Sequence, residues 1–86
     1  MPELSRFFSI VIAMYYSDHA PPHFHARYGD REVRVDIGTG GILSGTIPPG
    51  AERLVAEWLA LHRNELIQNW QLAANRQPLR RIAPLE

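Results

Sequence analysis

From His23 to Ile37 (HFHARYGDREVRVDI) polar and apolar residues alternate, and Gly29-Asp30 sits in the middle of the run. A period of two marks a strand with one buried face, and a Gly-X pair suits the centre of a type II′ hairpin turn. With those two residues as the loop, Tyr28 faces Arg31, Arg27 faces Glu32, Ala26 faces Val33, His25 faces Arg34, Phe24 faces Val35 and His23 faces Asp36. In that register Phe24, Ala26, Val33 and Val35 share one face. His23, His25, Arg27, Glu32, Arg34 and Asp36 share the other. A slip of one residue would mix the two sets, so the pattern itself fixes the pairing.

On either side of this hairpin the pattern changes. Residues 7–16 (FFSIVIAMYY) are β-branched and aromatic, apolar on both faces, and predict one strand covered on both sides. Residues 18–22 carry turn chemistry. A second turn falls on Gly38-Thr39-Gly40-Gly41, followed by a strand over 42–47 whose alternation is too poor to set its register. Pro48-Pro49-Gly50 closes the sheet, with proline well suited to a first helical position. From 51 to 74 the period becomes helical: Leu54, Val55, Trp58, Leu59, His62, Leu66, Trp70 and Ala73 form one broad stripe. Asn75 and Pro78 stop the helix, and residues 79–82 return as a short extended tail. As one straight rod the helix would run about 36 Å, longer than so small a domain is wide. It must bend near Arg63-Asn64, where Asn64 can cap a second segment, or project its end toward a partner. The prediction is an α+β fold: a β-meander of about four strands (7–16, 23–28, 31–37, 42–47), then one long or kinked helix packed on one face.

Length and composition fit a single domain over residues 1–86. Hydrophobic residues make up 45% of the 86, normal for a globular chain and too many for a disordered one. There is no cysteine, which excludes disulfides and thiolate metal sites and fits a reducing compartment. Arginine supplies all nine cations against nine acids, so no net field draws the chain to nucleic acid or anionic lipid. The first residues lack the basic start of a secretion signal, and no apolar run approaches the ~20 residues a membrane helix needs. A cytoplasmic protein is the expectation.

Chemistry concentrates in Asp18–His25, DHAPPHFH, which holds three of the four histidines. His23 and His25 point the same way from one strand, so both rings could reach one ion at about 2.0–2.1 Å. His19 is a third candidate ligand, although an extended run through Pro21-Pro22 would leave it roughly 12 Å from His23. Its convergence needs a bend or a cis proline. Zinc or another divalent transition metal is the cofactor such a set would take, and on balance the sequence favours none. A metal-free alternative uses His23 and His25 as a general acid/base pair. Asp36 would favour the protonated ring of His23, Arg34 would disfavour that of His25, and Arg27 would hold a phosphate or oxyanion; such a pair could cleave RNA. The plain alternative is an ordinary exposed polar strand face, against which stands the local density of imidazoles. His62, between Trp58 and Leu66 on the stripe, reads as a satisfied histidine at the core edge, and Trp58 and Trp70 read as core.

The stretches MPELSRFFSIVIAMYYSDHAPPHFHARYG, RLVAEWLALHRNELIQNWQLA and LRRIAPLE resemble a family of small bacterial proteins of unknown function. That family is marked by an M-P-x-x-S-R-F start and a D-H-x-P-P-H-F-H core. Its signature falls here on Ser5, Arg6, Phe7, Tyr15, Asp18, His19, Pro21, Pro22, His23, His25, Trp58, His62 and Trp70. Ser9 and Ala13 stand where glycine and an arginine-like residue are common. The family's genes often sit beside that of a second small protein, so the resemblance implies one half of a toxin–antitoxin-like pair acting by protein–protein interaction. The contact would run through a sheet edge or the helix end at Trp70. Whether the chain is an enzyme stays open at this level.

Overall fold

The computed structural model describes residues 2–86, so Met1 of the family-like start lies outside the described residues. Five strands form one antiparallel sheet in the order of the chain, followed by a helix: β1 (Glu3–Phe7), β2 (Ile10–Ala13), β3 (His23–Tyr28), β4 (Arg31–Asp36), β5 (Ile42–Gly45) and α1 (Pro49–Ala74). The α+β meander-plus-helix architecture is the one the periodicity predicts, with one more strand.

The central hairpin has the expected register, His23 opposite Asp36 through Tyr28 opposite Arg31. Gly29 takes φ +63° at the turn, the sign that the first central position of a type II′ turn requires. The extra strand comes from the apolar run 7–16, which is two strands. Phe7 pairs with Ile10 and Arg6 with Val11, so Phe8 and Ser9 form a two-residue turn, with φ +47° and +66°. Neither residue is one that left-handed backbone favours, and nothing in a run of β-formers marks the reversal. The run is apolar on both faces because its two halves lie side by side rather than end to end.

Ile10, Ile12, Phe24, Ala26, Val33 and Val35 form a buried sheet face, and α1 lays Val55, Trp58, Leu59 and Leu66 onto it. The Trp58 ring stands 5.5 Å from Phe7 and 5.8 Å from Phe24, centroid to centroid. Large aromatic area removed from water makes this the centre of the core. Helix α1 opens at Pro49, after Pro48, so the proline pair starts the helix as well as ending the sheet. It bends at His62, whose φ of −127° and ψ of 20° leave the helical region. A straight helix of this length would measure about 39 Å; the chain's longest dimension is 33 Å. Of the two outcomes the length allowed, the kink is the one adopted, beside the expected Arg63-Asn64. His62 is satisfied locally: its ring lies 5.5 Å from Trp58 and its Nδ1 pairs with Glu65 Oε1 at 2.6 Å.

Both sheet edges are protected. Along β1 the C-terminal tail returns in extended form, and the Ile82 N–H donates to Leu4 O at 2.8 Å. Trp58 Nε1–H donates to Ala83 O at 2.9 Å. Buried Asn69 holds Arg80 by both backbone groups, donating to its carbonyl at 3.0 Å and accepting from its N–H at 2.8 Å. On the far side, β5 carries an irregularity against Arg34–Val35 and ends in Gly45 at φ +83°, where a Cβ would collide with the Glu32 carbonyl. A short, bulged, glycine-kinked strand is a poor template for pairing.

Candidate functional site

The face of β3 turned away from the Phe24 side is where the histidines lie. Alternation alone implies that this face is exposed. His23 and His25 are nevertheless only 1% and 9% exposed, because the segment between β2 and β3 folds back over them. Tyr15 sets its ring edge-on to His25 at 4.5 Å, and Ser17 N–H reaches Ala73 O at 3.4 Å. Trp70 places its ring 5.2 Å from His23. The helix end at Trp70 thus packs on the site. The Ala20–Pro21 peptide bond in the covering segment is cis.

The residue this fold brings onto the imidazoles is Asp18. Its Oδ2 lies 3.0 Å from His23 Nε2 and 3.4 Å from His25 Nε2. One ligand atom from each of Asp18, His23 and His25 falls within 4.8 Å of the others. His19 is exposed and outside that group; its backbone N–H donates to Asp18 Oδ1 at 2.8 Å. Asp36 does sit opposite His23 in the ladder, but its Oδ1 accepts the Thr39 N–H at 2.9 Å and so ties down the turn after β4. Arg27 is half-buried two residues beyond His25 and opposite Glu32. Arg34, opposite His25, donates from Nε to Ser44 Oγ at 2.8 Å.

The far nitrogens of the two rings are also held. His23 Nδ1 lies 2.7 Å from Pro21 O. A carbonyl only accepts, so Nδ1 carries the proton. A neutral His23 therefore aims the lone pair of Nε2 at a carboxylate oxygen, which is repulsive. His25 is placed alike, its Nδ1 3.2 Å from Glu32 Oε2 and its Nε2 facing Asp18. A cation among the two Nε2 atoms and Oδ2 would turn that repulsion into attraction, and one ligand atom from each of the three residues is near enough to share it. Burial works to raise the Asp18 carboxyl, but the His19 N–H and the imidazoles of His25 and His23 outweigh it and hold the group below its ordinary value. Asp18 is thus a carboxylate, ready to ligate.

Chemically, this is a small α+β domain whose distinguishing feature is a buried pair of imidazoles closed by one aspartate. It belongs to the family described as Domain of unknown function (DUF4160), which matches residues 9–71. No curated protein and no solved structure matches the chain. Among the described residues no helix is long and apolar enough to cross a membrane.

Proposed function

We propose that the domain binds one divalent transition-metal ion, of the zinc class, through Asp18, His23 and His25. The observation that carries the reading is the shared Oδ2 of Asp18, 3.0 and 3.4 Å from two Nε2 atoms whose rings are held from behind. A tetrahedral ion with bonds of about 2.0–2.1 Å separates neighbouring ligand atoms by about 3.3 Å, and the two distances bracket that value. Pro21 O and Glu32 stand where the outer partners of metal-bound histidines stand, fixing the Nδ1–H tautomer. Two neutral nitrogens with one carboxylate suit a borderline transition ion better than calcium or magnesium, which prefer oxygen. Charge closes as well, since a divalent ion balances Asp18 and Glu32.

In this reading the domain acts in the bacterial cytosol as the metal-holding half of a two-protein module, a setting supported by the family resemblance alone. The metal-free alternative is an acid/base pair of His23 and His25 acting on RNA. Its carboxylate partner would be Asp18 in place of Asp36.

Calorimetric titration of metal-free protein with zinc tests the reading. One ion per chain is expected, with the affinity of Asp18→Asn lower by about 100-fold or more, at least the loss typical of a second-shell partner. Histidine NMR during the same titration should move His23 and His25 together. If zinc leaves both signals in place, the metal reading fails.

A further inference from the structure

Phe8 is strained where it stands. A two-residue turn with both φ values positive favours asparagine and glycine, and a bulky side chain rarely holds a φ of +47°. Packing within the chain does not offset this: the ring is 57% exposed, and among the described residues it meets no other ring. Phe8, Tyr28 (37% exposed) and Leu54 line one shallow apolar cleft where β3 ends and α1 begins. His23 and Trp70 lie toward the other ends of those two elements. Arg53 and Glu57 border the same cleft, one helical turn apart. Among the described residues neither has an ion pair or a side-chain hydrogen bond. Arginine ahead of a glutamate is the weaker order for pairing within one helix.

We infer that this surface takes a second copy of the chain, in a two-fold dimer whose α1 helices run antiparallel across the cleft. Residues four apart lie on one flank of a helix. An antiparallel two-fold contact turns that flank toward itself with the order reversed, so Arg53 of each protomer meets Glu57 of the other. The surface is thus complementary to itself in charge, as a two-fold contact requires. Leu54 of each protomer lies near the axis, and both Phe8 and both Tyr28 rings leave water. A uniformly acidic or basic partner would set like charges together at one of the two positions. The sheet edges offer no rival route, since the tail lies along β1 and β5 is kinked at Gly45. Ile42 and Leu43 are also exposed, but no charged residue from Ile37 to Ala51 would select what meets them. The cleft is small beside the ~800 Å² per partner of a standard interface. The dimer is therefore a weak one, with a Kd of about 0.1 mM. No residue of the cleft belongs to the Asp18–His23–His25 cluster, so the inference stands apart from the metal reading.

Sedimentation equilibrium of the full chain, from about 10 μM to about 1 mM, brackets that Kd. The parent should pass from the mass of one chain toward that of two. Arg53→Glu alone and Glu57→Arg alone each oppose like charges twice, and each should weaken the dimer by about tenfold or more. An equal mixture of the two variants should associate about as the parent does, because every contact again joins opposite charges. The double variant should do the same by itself. Phe8→Asn should also weaken the dimer while melting no lower in dilute solution, since asparagine accepts left-handed backbone. A parent that keeps the mass of one chain up to 1 mM overturns the inference. Self-association that both charge variants leave unchanged overturns it too, by placing the contact on another surface. A mixture and a double variant that both fail to recover the dimer overturn the antiparallel pairing and the inference with it.

Discussion

His23 Nε2 and Asp18 Oδ2 stand 3.0 Å apart, with the His23 ring pinned from behind by the Pro21 carbonyl at 2.7 Å. The carboxylate and the carbonyl come from one short covering segment, so the segment that closes the site also orients it. A ring clamped at both nitrogens loses little freedom when an ion enters between it and the aspartate. Metal binding should therefore stabilise the fold rather than rearrange it. At free zinc about 100 times Kd the gain is about 2.7 kcal/mol. For a domain of this size that raises Tm by about 10–20 °C. Differential scanning calorimetry with and without zinc measures it, and Asp18→Asn should lose most of the increment.

On the metal reading, Glu32 would act on the ion through His25, whose Nδ1 lies 3.2 Å from Glu32 Oε2. Outer partners of this kind are worth about 10–100-fold in metal affinity. The Glu32 side chain is 41% exposed, where water screens its charge, so Glu32→Gln should cost about tenfold, the low end of that range. Melting without metal should barely change. Competition with a zinc-sensitive dye checks the affinity; an unchanged value would show that the exposed carboxylate does not orient the ring.

The two unusual turns predict opposite outcomes for substitutions that look alike. Ser9 holds φ +66° in the β1–β2 turn, which glycine adopts without penalty, so Ser9→Gly should stabilise by about 0.5–1 kcal/mol. Gly45 holds φ +83° against the Glu32 backbone. Gly45→Ala adds both backbone strain and a collision, and should destabilise by about 2 kcal/mol or more. Urea unfolding of the two variants beside the parent settles both signs.

Asn69 fastens the C-terminal tail through the backbone of Arg80. Asn69→Ala strands that donor and acceptor beside a small cavity, at a cost of about 1–3 kcal/mol. Because the tail covers the β1 edge, hydrogen exchange at the Ile82 amide should accelerate more than exchange in β3. Uniform acceleration would mean that the tail and the sheet open as one unit.

The hairpin at Gly29 was legible to the residue because two independent signals coincide there, a period-two pattern and a turn residue suited to the required backbone. Arithmetic on length against domain size left α1 two outcomes, a bend near Arg63-Asn64 or a projecting end, and only the structure selects the bend, at His62. What the pattern concealed was the turn at Phe8-Ser9: β-formers fill it, and the one hint is that Ser9 stands where the family resemblance often has glycine. The site was half legible. Alternation puts His23 and His25 on one face, but strand geometry says nothing about a covering segment, so their burial under Tyr15, Asp18 and Trp70 could not be read. Proximity in sequence favoured His19 and ladder pairing favoured Asp36, whereas the covering segment delivers Asp18. The aspartate opens the DHAPPHFH motif, so its signal is present, but an aspartate before a Pro-Pro turn is equally explained by turn chemistry.

Glu3 gives the chain a testable acid limit apart from the site. Its carboxylate accepts from Arg6 at 2.8 Å and from Arg81 in the tail at 3.1 Å. Those two side-chain bonds, Arg6 first, hold it below its ordinary value of 4.5. A carboxyl depressed on folding binds protons more readily when unfolded, so its stabilising effect is complete above about pH 4.5 and disappears as pH falls through the lower folded value. The pair is exposed to solvent on the arginine side, so salt should weaken the effect. Urea midpoints of the parent and Glu3→Gln should differ at pH 7 and converge as the pH drops below 4, with the pH 7 difference shrinking in 1 M salt. A difference that persists unchanged at low pH would assign the role of Glu3 to packing rather than to its charge.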